Sequence, residues 1–341
     1  MAMLRDLPKT FKAAVVEEAN KPFVFKELPL ELPKEGQVLI KVLACGVCHT
    51  DAVQYAGQFG PLPRIMGHEI VGDVVAVPPS EKKWKVGERV GGTWHGGNDG
   101  TCKACIKGYT QMCDNAQVNG ISKDGGYAEY CTLNTEAVVS VPANLDPVQV
   151  APFLCAGVTV FRGIKQMNVP AGEIVAVQGL GGLGHLAIQY ARKLGYRTVA
   201  LSTSNSKRDF AAQLGANDYV DGSKEDTVET LTKLGGASLI VATAPHPETI
   251  QPLVNGLGPN GKLLILAPLP EIQVSPLGLI PKGRSVHGWP SGTPHDCEDA
   301  LEFANLQDVK CLVEPYPFAK AQQAFDDMLA GKPRFRAVLT F

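Results

Sequence analysis

Three short stretches, far apart in the chain, carry residue types that bind metals. Cys48-His49-Thr50-Asp51 sits in a turn after an apolar run, Gly67-His68-Glu69 opens another such run, and Cys155 lies within Phe153-Leu154-Cys155-Ala156-Gly157. Two thiolates and one imidazole form a zinc ligand set that leaves a fourth position open for chemistry. Taken singly, each residue has a plainer reading. A lone Cys is usually a small buried hydrophobe, and a His beside a Glu is usually a surface pair. A second cluster reads Cys102-x2-Cys105-x7-Cys113 in a glycine-rich stretch. Three thiols this close suit a tetrahedral structural metal. Asp99 stands three residues before Cys102 and can supply an oxygen as fourth ligand. His95 is a less well-spaced alternative, and a site with no bound metal is a third.

A different chemistry is written at Gly179-Leu180-Gly181-Gly182-Leu183-Gly184, which fits G-x-G-x-x-G. The pattern alone is weak. Here it follows a strand-like run, Glu173 to Gln178, and precedes a helical stretch from His185 to Leu194, the context of a dinucleotide site. Gly181 lets the backbone approach a pyrophosphate, and the helix start offers free N–H groups. A glycine-rich turn without a ligand is the plainer reading. The next strand selects the cofactor. An NAD site usually ends this strand in an acid that binds the ribose 2′-hydroxyl. The position falls on Ser202, followed by Thr203, Ser204, Asn205, Ser206, Lys207 and Arg208. Hydroxyls and two cations suit a 2′-phosphate, so NADP(H) is expected over NAD(H). The alternative is that Lys207 and Arg208 only begin a solvated helix.

The surrounding pattern says what must position these groups. The first 150 or so residues read as short strands and turns, with a half-buried strand over Gln37 to Leu43, a β-rich run over Ile70 to Val77, and turn signals from Glu81 to Gly92. After about Ala151 the character changes. Apolar strands at Glu173–Gln178, Tyr196–Ser202, Ala237–Thr243 and Lys262–Ala267 alternate with helical stretches at His185–Leu194, Ser206–Leu214, Thr227–Leu234 and Glu248–Leu257. Such alternation predicts an α/β fold with a parallel sheet covered on both faces. Two helices, Asp296–Asn305 and Ala319–Leu329, close the chain. At 341 residues, two domains are expected.

Composition excludes several classes. With 32 basic and 34 acidic residues the net charge is −2, which argues against a nucleic-acid partner. No apolar run approaches the roughly 20 residues of a membrane span. Met1 to Phe11 mixes charged and apolar types and lacks a signal-peptide core, and Phe335 to Phe341 carries no retention or peroxisomal tag. Nine cysteines, clustered with His, suit metal ligation in a reducing compartment, so a cytoplasmic location is expected.

In order and spacing, GVCHTD, GHE, the cysteine-rich loop, LCAG and GLGGLG resemble the zinc-dependent alcohol dehydrogenases of the medium-chain dehydrogenase/reductase family, over essentially the whole chain. The resemblance implies a GroES-like β-rich catalytic domain at 1–157, a Rossmann domain with a doubly wound parallel sheet at 158–292, and a return to the first at 293–341, with the active site in the cleft between them. It implies hydride transfer between a nicotinamide and a primary alcohol/aldehyde pair, and a homo-oligomer. Cys48, His68 and Cys155 match the catalytic zinc ligands. Glu69 matches the acid behind the metal, Asp51 the acid bonded to the ligating histidine, and Thr50 the hydroxyl that takes the substrate proton. His49 matches a basic position near the pyrophosphate, Phe59 and Trp94 the pocket aromatics, and Thr159 a position near the nicotinamide. Two places depart from the pattern. Asp99 stands where the structural zinc has its first cysteine. Val53 stands where the yeast-like branch has a proton-relay histidine, so the proton leaves Thr50 through the ribose hydroxyls and His49 or directly to water. The rival readings are a polyol dehydrogenase, a zinc-independent quinone or enone reductase of the same fold, and a non-enzymatic structural protein that binds cofactor.

Overall fold

The computed structural model describes residues 7–341, so Met1 to Asp6 of the leading segment lie outside the described residues. The chain forms two compact units, described separately. The first comprises 1–155, 292–302 and 311–341, and the second 156–291 and 303–310.

The first unit is built on strand Gln37–Gly46, whose residues Val38, Ile40 and Val42 face the core. This strand pairs antiparallel with Glu69–Ala76, Tyr130–Asn134 and Arg336–Thr340. Arg89–Gly92 and Val138–Ser140 continue the sheet on one side and Val313–Pro317 on the other. A three-stranded sheet of Val24–Pro29, Thr10–Val16 and Arg64–Ile65 and a short ribbon of His95–Gly97 with Gln117–Val118 complete the β structure. The turn signals at Gly91 and Gly92 are in fact strand residues. They are glycines because Leu154 and Leu133 lie over them: a Cβ would fall 2.9 Å from the Leu154 side chain at Gly91 and 2.7 Å from that of Leu133 at Gly92.

The second unit is a six-stranded, wholly parallel sheet in the order Asp218–Asp221, Arg197–Ser202, Ile174–Gln178, Ala237–Ala242, Leu257–Ile265, Ser285–Gly288. The first strand in sequence lies in the middle. The chain adds strands to one side and then jumps back to the other, which makes a topological switch point beside Ile174–Gln178. Ligands bind such sheets beyond the carboxyl ends of the strands there. The core is Ala176, Val199, Leu201, Ile240 and Leu263 with Leu231 and Leu253 from the covering elements. Two edge strands, Asp218–Asp221 and Ser285–Gly288, escape the sequence pattern because they are short and carry polar residues. The helix expected over Glu248–Leu257 is broken. A short α-helix Pro247–Ile250 passes into a 3-10 turn, Gln251–Gly256, at Pro252, which has no N–H to continue the ladder, and Leu257 already begins the next strand. Ser206–Leu214 likewise divides into a 3-10 turn Asn205–Lys207 and a helix Arg208–Gln213, ended by Gly215 at φ +98.

Among the described residues no single helix is long and apolar enough to cross a membrane.

Candidate active site and metal centres

Three elements of the first unit deliver the first cluster. Strand Gln37–Gly46 runs into Cys48, which sits at the N-terminus of helix His49–Tyr55. His68 lies between Gly67, at φ +94, and strand Glu69–Ala76. Cys155 ends the 3-10 turn Ala151–Leu154. One donor atom from each of Cys48, His68, Glu69 and Cys155 lies within 4.8 Å of the others. The two sulfurs are 4.0 Å apart. A tetrahedral centre with zinc–sulfur bonds of about 2.3 Å sets two sulfurs roughly 3.8 Å apart. Nε2 of the fully buried His68 and Oε2 of Glu69 have no hydrogen-bond partner. Buried polar atoms of that kind call for a ligand. The donor set therefore fits a zinc ion.

The electrostatics agree. The hydrogen bond with Cys155 and the charge of His68 hold the Cys48 thiol well below its ordinary pKa despite burial. The same bond, with burial, pushes Cys155 up. Burial works against a charged His68, but the Asp51 carboxylate and the Cys48 thiolate outweigh it and raise its pKa. A divalent cation held by the two sulfurs and the imidazole would take the place of their protons. Asp51 Oδ1 lies 3.2 Å from His68 Nδ1, which leaves Nε2 for a metal. Asp51 Oδ2 accepts from the Cys48 N–H at 2.9 Å and from the Tyr127 hydroxyl at 2.8 Å. Glu69 pairs with Arg336, and both are buried. Thr50 Oγ1 stands 3.6 Å from Cys48 Sγ. The Trp94 ring is perpendicular to His68 at 5.1 Å, and the half-exposed Phe59 meets Trp94 edge-on at 6.4 Å. His49 is exposed at the start of its helix.

The second cluster also assembles. Donor atoms of Asp99, Cys102, Cys105 and Cys113 lie within 4.8 Å of one another. Asp99 Oδ1 accepts from the N–H groups of Thr101 (2.8 Å) and Cys102 (3.0 Å), and Oδ2 from Asn115 Nδ2 (2.7 Å). The Asn115 bond and then these N–H groups hold the carboxyl well below its ordinary range, so it is an anionic donor. Cys113 Sγ accepts N–H bonds from Asp99 at 3.4 Å and Asn115 at 3.3 Å. The alternative ligand His95 is not in this group. It is buried, 3.3 Å from Asn98 Nδ2, and burial pushes its pKa down to about 4.

In the second unit the glycine motif has three distinct jobs. Gly179 has φ +88, and a Cβ there would lie 2.6 Å from the Ala244 Cβ. At Gly184, the first residue of helix Gly184–Lys193, a Cβ would lie 1.9 Å from the Gly179 carbonyl oxygen. At Gly181 a Cβ would meet nothing within 4 Å. That open face suits a ligand brought against the backbone. Gly182 is half-buried; the Gly181 carbonyl accepts from the His185 N–H, and the Leu183 carbonyl from those of Leu186 and Ala187. A cavity of about 450 Å³ is lined by Gly179, Leu180, Gly181, Ser202, Thr203 and Lys207 together with Glu225, Asp226, His246 and Thr249. Lys207 Nζ donates to the Leu180 carbonyl at 2.8 Å and so ties the turn after strand Arg197–Ser202 to the glycine loop. Ser204 and Arg208 are not among the cavity's lining. Ser204 Oγ is 2.8 Å from Ser206 Oγ, and Arg208 lies over the Tyr219 ring at 4.7 Å with Nε on Asn205 Oδ1. Thr159 is buried in helix Ala156–Gln166, outside that lining.

Tyr127, Arg336 and Asn115 are contacts the motifs do not reveal. A buried acid such as Glu69 demands a cation, but nothing in spacing points to a residue 267 positions away.

Residues 34–143 match the model of the alcohol dehydrogenase GroES-like domain, and residues 182–305 that of the zinc-binding dehydrogenase. The chain belongs to the alcohol dehydrogenases of the medium-chain dehydrogenase/reductase family. It is 53% identical to alcohol dehydrogenase patD of Penicillium expansum over 99% of this chain and all of that one. To an alcohol dehydrogenase of Geobacillus stearothermophilus it is 39% identical over 96% and 98%. Among solved structures, a cinnamyl alcohol dehydrogenase of Sorghum bicolor superposes with a TM-score of 0.89 at 28% identity, over 97% of this chain and 98% of the other. An NADP(H) complex from Helicobacter pylori gives 0.85 at 25% identity, over 98% and 99%. The protein is an NAD(P)-dependent alcohol dehydrogenase that acts on small-molecule alcohol/aldehyde pairs.

Proposed function

We propose that this alcohol dehydrogenase holds a catalytic zinc on Cys48, His68 and Cys155 with Glu69 behind it, holds a second zinc on Asp99, Cys102, Cys105 and Cys113, and uses NADP(H). The observation that carries the first part is the convergence of three donors from distant segments on one point, with His68 Nε2 buried there without a partner. A zinc there would supply Lewis-acid polarisation of the substrate oxygen. The protein does the rest. Two thiolates and a neutral imidazole would cancel the metal's charge. The Thr50 hydroxyl takes the alcohol proton, or returns it to the product of aldehyde reduction. Val53 offers no onward relay, so the proton passes to His49 and the ribose or to water. Trp94 and Phe59 present an apolar wall suited to a primary alcohol. The quinone or enone reductase reading has no use for this donor set. A polyol dehydrogenase would want a more polar pocket.

The cofactor preference is supported by the lack of an acid at Ser202 and by Lys207 in the cavity wall. A 2′-phosphate taken by Lys207 forms a charge-assisted bond worth about 1.5–3 kcal/mol. Lys207→Ala is therefore expected to lower kcat/KM about 10- to 100-fold more for NADPH than for NADH, whose binding loses only the Lys207–Leu180 tie. A wild-type preference for NADH ends the NADP(H) reading. Reduction of aldehydes is the favoured physiological direction, since the NADP pool is usually kept reduced. Cys48→Ala and His68→Ala are expected to abolish turnover while dinucleotide titration is unchanged. Turnover that survives removal of the metal overturns the assignment. The family resemblance and the unpaired cysteines further support a cytoplasmic homo-oligomer, which light scattering tests.

A further inference from the structure

We infer that Tyr127 is a positioning residue for the reaction, acting through Asp51 on the ligating His68. The inference rests on the reading of Cys48, His68 and Cys155 as a metal centre. Tyr127 is fully buried, and its hydroxyl donates to Asp51 Oδ2 at 2.8 Å. The same oxygen accepts the Cys48 N–H at 2.9 Å. With Oδ2 held by two donors, the carboxylate is fixed about its own axis and its other oxygen, Oδ1, is aimed at His68 Nδ1, 3.2 Å away. A ligating histidine is oriented through its second nitrogen, and partners of that kind tune metal affinity. The tyrosine also sets the backbone. Its N–H donates to the Met66 carbonyl and that of Gly126 to the Gly67 carbonyl, each at 2.9 Å. Its ring lies where a side chain at position 67 would go: a Cβ on Gly67 would be 2.5 Å from Tyr127 Cδ1. So one residue fixes both the main chain leading into His68 and the carboxylate on its imidazole. Burial and the Asp51 charge keep the phenol protonated, hence a donor.

The test uses the holoenzyme and Tyr127→Phe, which keeps the ring against Gly67 and removes only the hydroxyl. The expected result is about tenfold weaker retention of metal at the Cys48 centre against a chelator, with the second zinc of the same chain as internal control. The visible bands of the cobalt-substituted centre shift, kcat falls by a similar factor, and KM for the dinucleotide stays put. In a cycle with Asp51→Asn the losses are not additive, because both changes break one chain of contacts. Additive losses, or wild-type retention and cobalt spectrum, overturn the role of Tyr127. If the phenylalanine variant does not fold, 3,5-difluorotyrosine at position 127, a stronger donor of similar shape, takes its place, and an unmoved cobalt spectrum then overturns the inference. A wild-type chain that holds no metal on Cys48, His68 and Cys155 refutes the metal-centre reading itself and this inference with it.

Discussion

Two glycines of one motif should fail in opposite ways. Gly181→Ala puts a methyl into open space, with nothing within 4 Å, and its φ is not in the left-handed region. The folded protein has no reason to object, and the loss of backbone freedom in the unfolded chain stabilises by about 0.4–1 kcal/mol. For a unit of this size that raises Tm by roughly 1–4 °C. The open space is where a pyrophosphate would meet the backbone. Losing one or two bonds to a charged group costs about 1.5–3 kcal/mol each, so the dinucleotide Kd rises at least tenfold. Gly184→Ala places its methyl 1.9 Å from the Gly179 carbonyl oxygen, a backbone atom that cannot swing aside. Overpacking of this kind costs about 1–3 kcal/mol or more, and Tm falls by several degrees before any cofactor is added. Thermal unfolding without cofactor and calorimetric titration with NADPH separate the two variants. Equal destabilisation by both, or wild-type affinity in Gly181→Ala, means that the two glycines do not have these separate roles.

The proton role of Thr50 predicts that Thr50→Val, nearly the same shape, lowers kcat by about 100-fold or more while dinucleotide binding is kept; full turnover in this variant removes Thr50 from the proton path. At the second centre, elemental analysis after dialysis against chelator should find two zinc ions per wild-type chain, one in Asp99→Ala and two in Asp99→Cys, and a single zinc in wild type would mean the site is not filled. The buried His95 makes the fold acid-sensitive. Its folded pKa of about 4 lies below the ordinary 6.5, so the stability from keeping it neutral is complete above pH 6.5 and is lost as pH falls toward 4. The loss amounts to about 2 kcal/mol by pH 5 at about 1.4 kcal/mol per unit. Urea unfolding of wild type and His95→Gln at pH 7 and pH 5 should show a flatter dependence in the variant, and parallel curves would refute it.

Whatever depends on local pattern is legible in the order of residues alone. The strand–glycine–helix run at 173–194 can be read because its three periods follow one another, and the cysteine spacing at 102–113 because its ligands lie in one loop. The matched motifs carried Cys48, His68 and Cys155 as a set, although no spacing rule joins position 48 to position 155. Which groups meet across the sheet follows from the folded chain. It placed Asp99 with the three thiols and His95 with Asn98, Lys207 on the glycine loop and Arg208 on Tyr219. It also made glycines at 91 and 92 strand residues beneath Leu154 and Leu133. Arg336 reaches Glu69, and Tyr127 reaches Asp51, because the strand that closes the chain and the segment after Asp124 lie beside the ligands. Burial then requires every charge there to find a partner. Local chemistry fixes which groups can react, and the pairing of distant strands fixes which ones face each other.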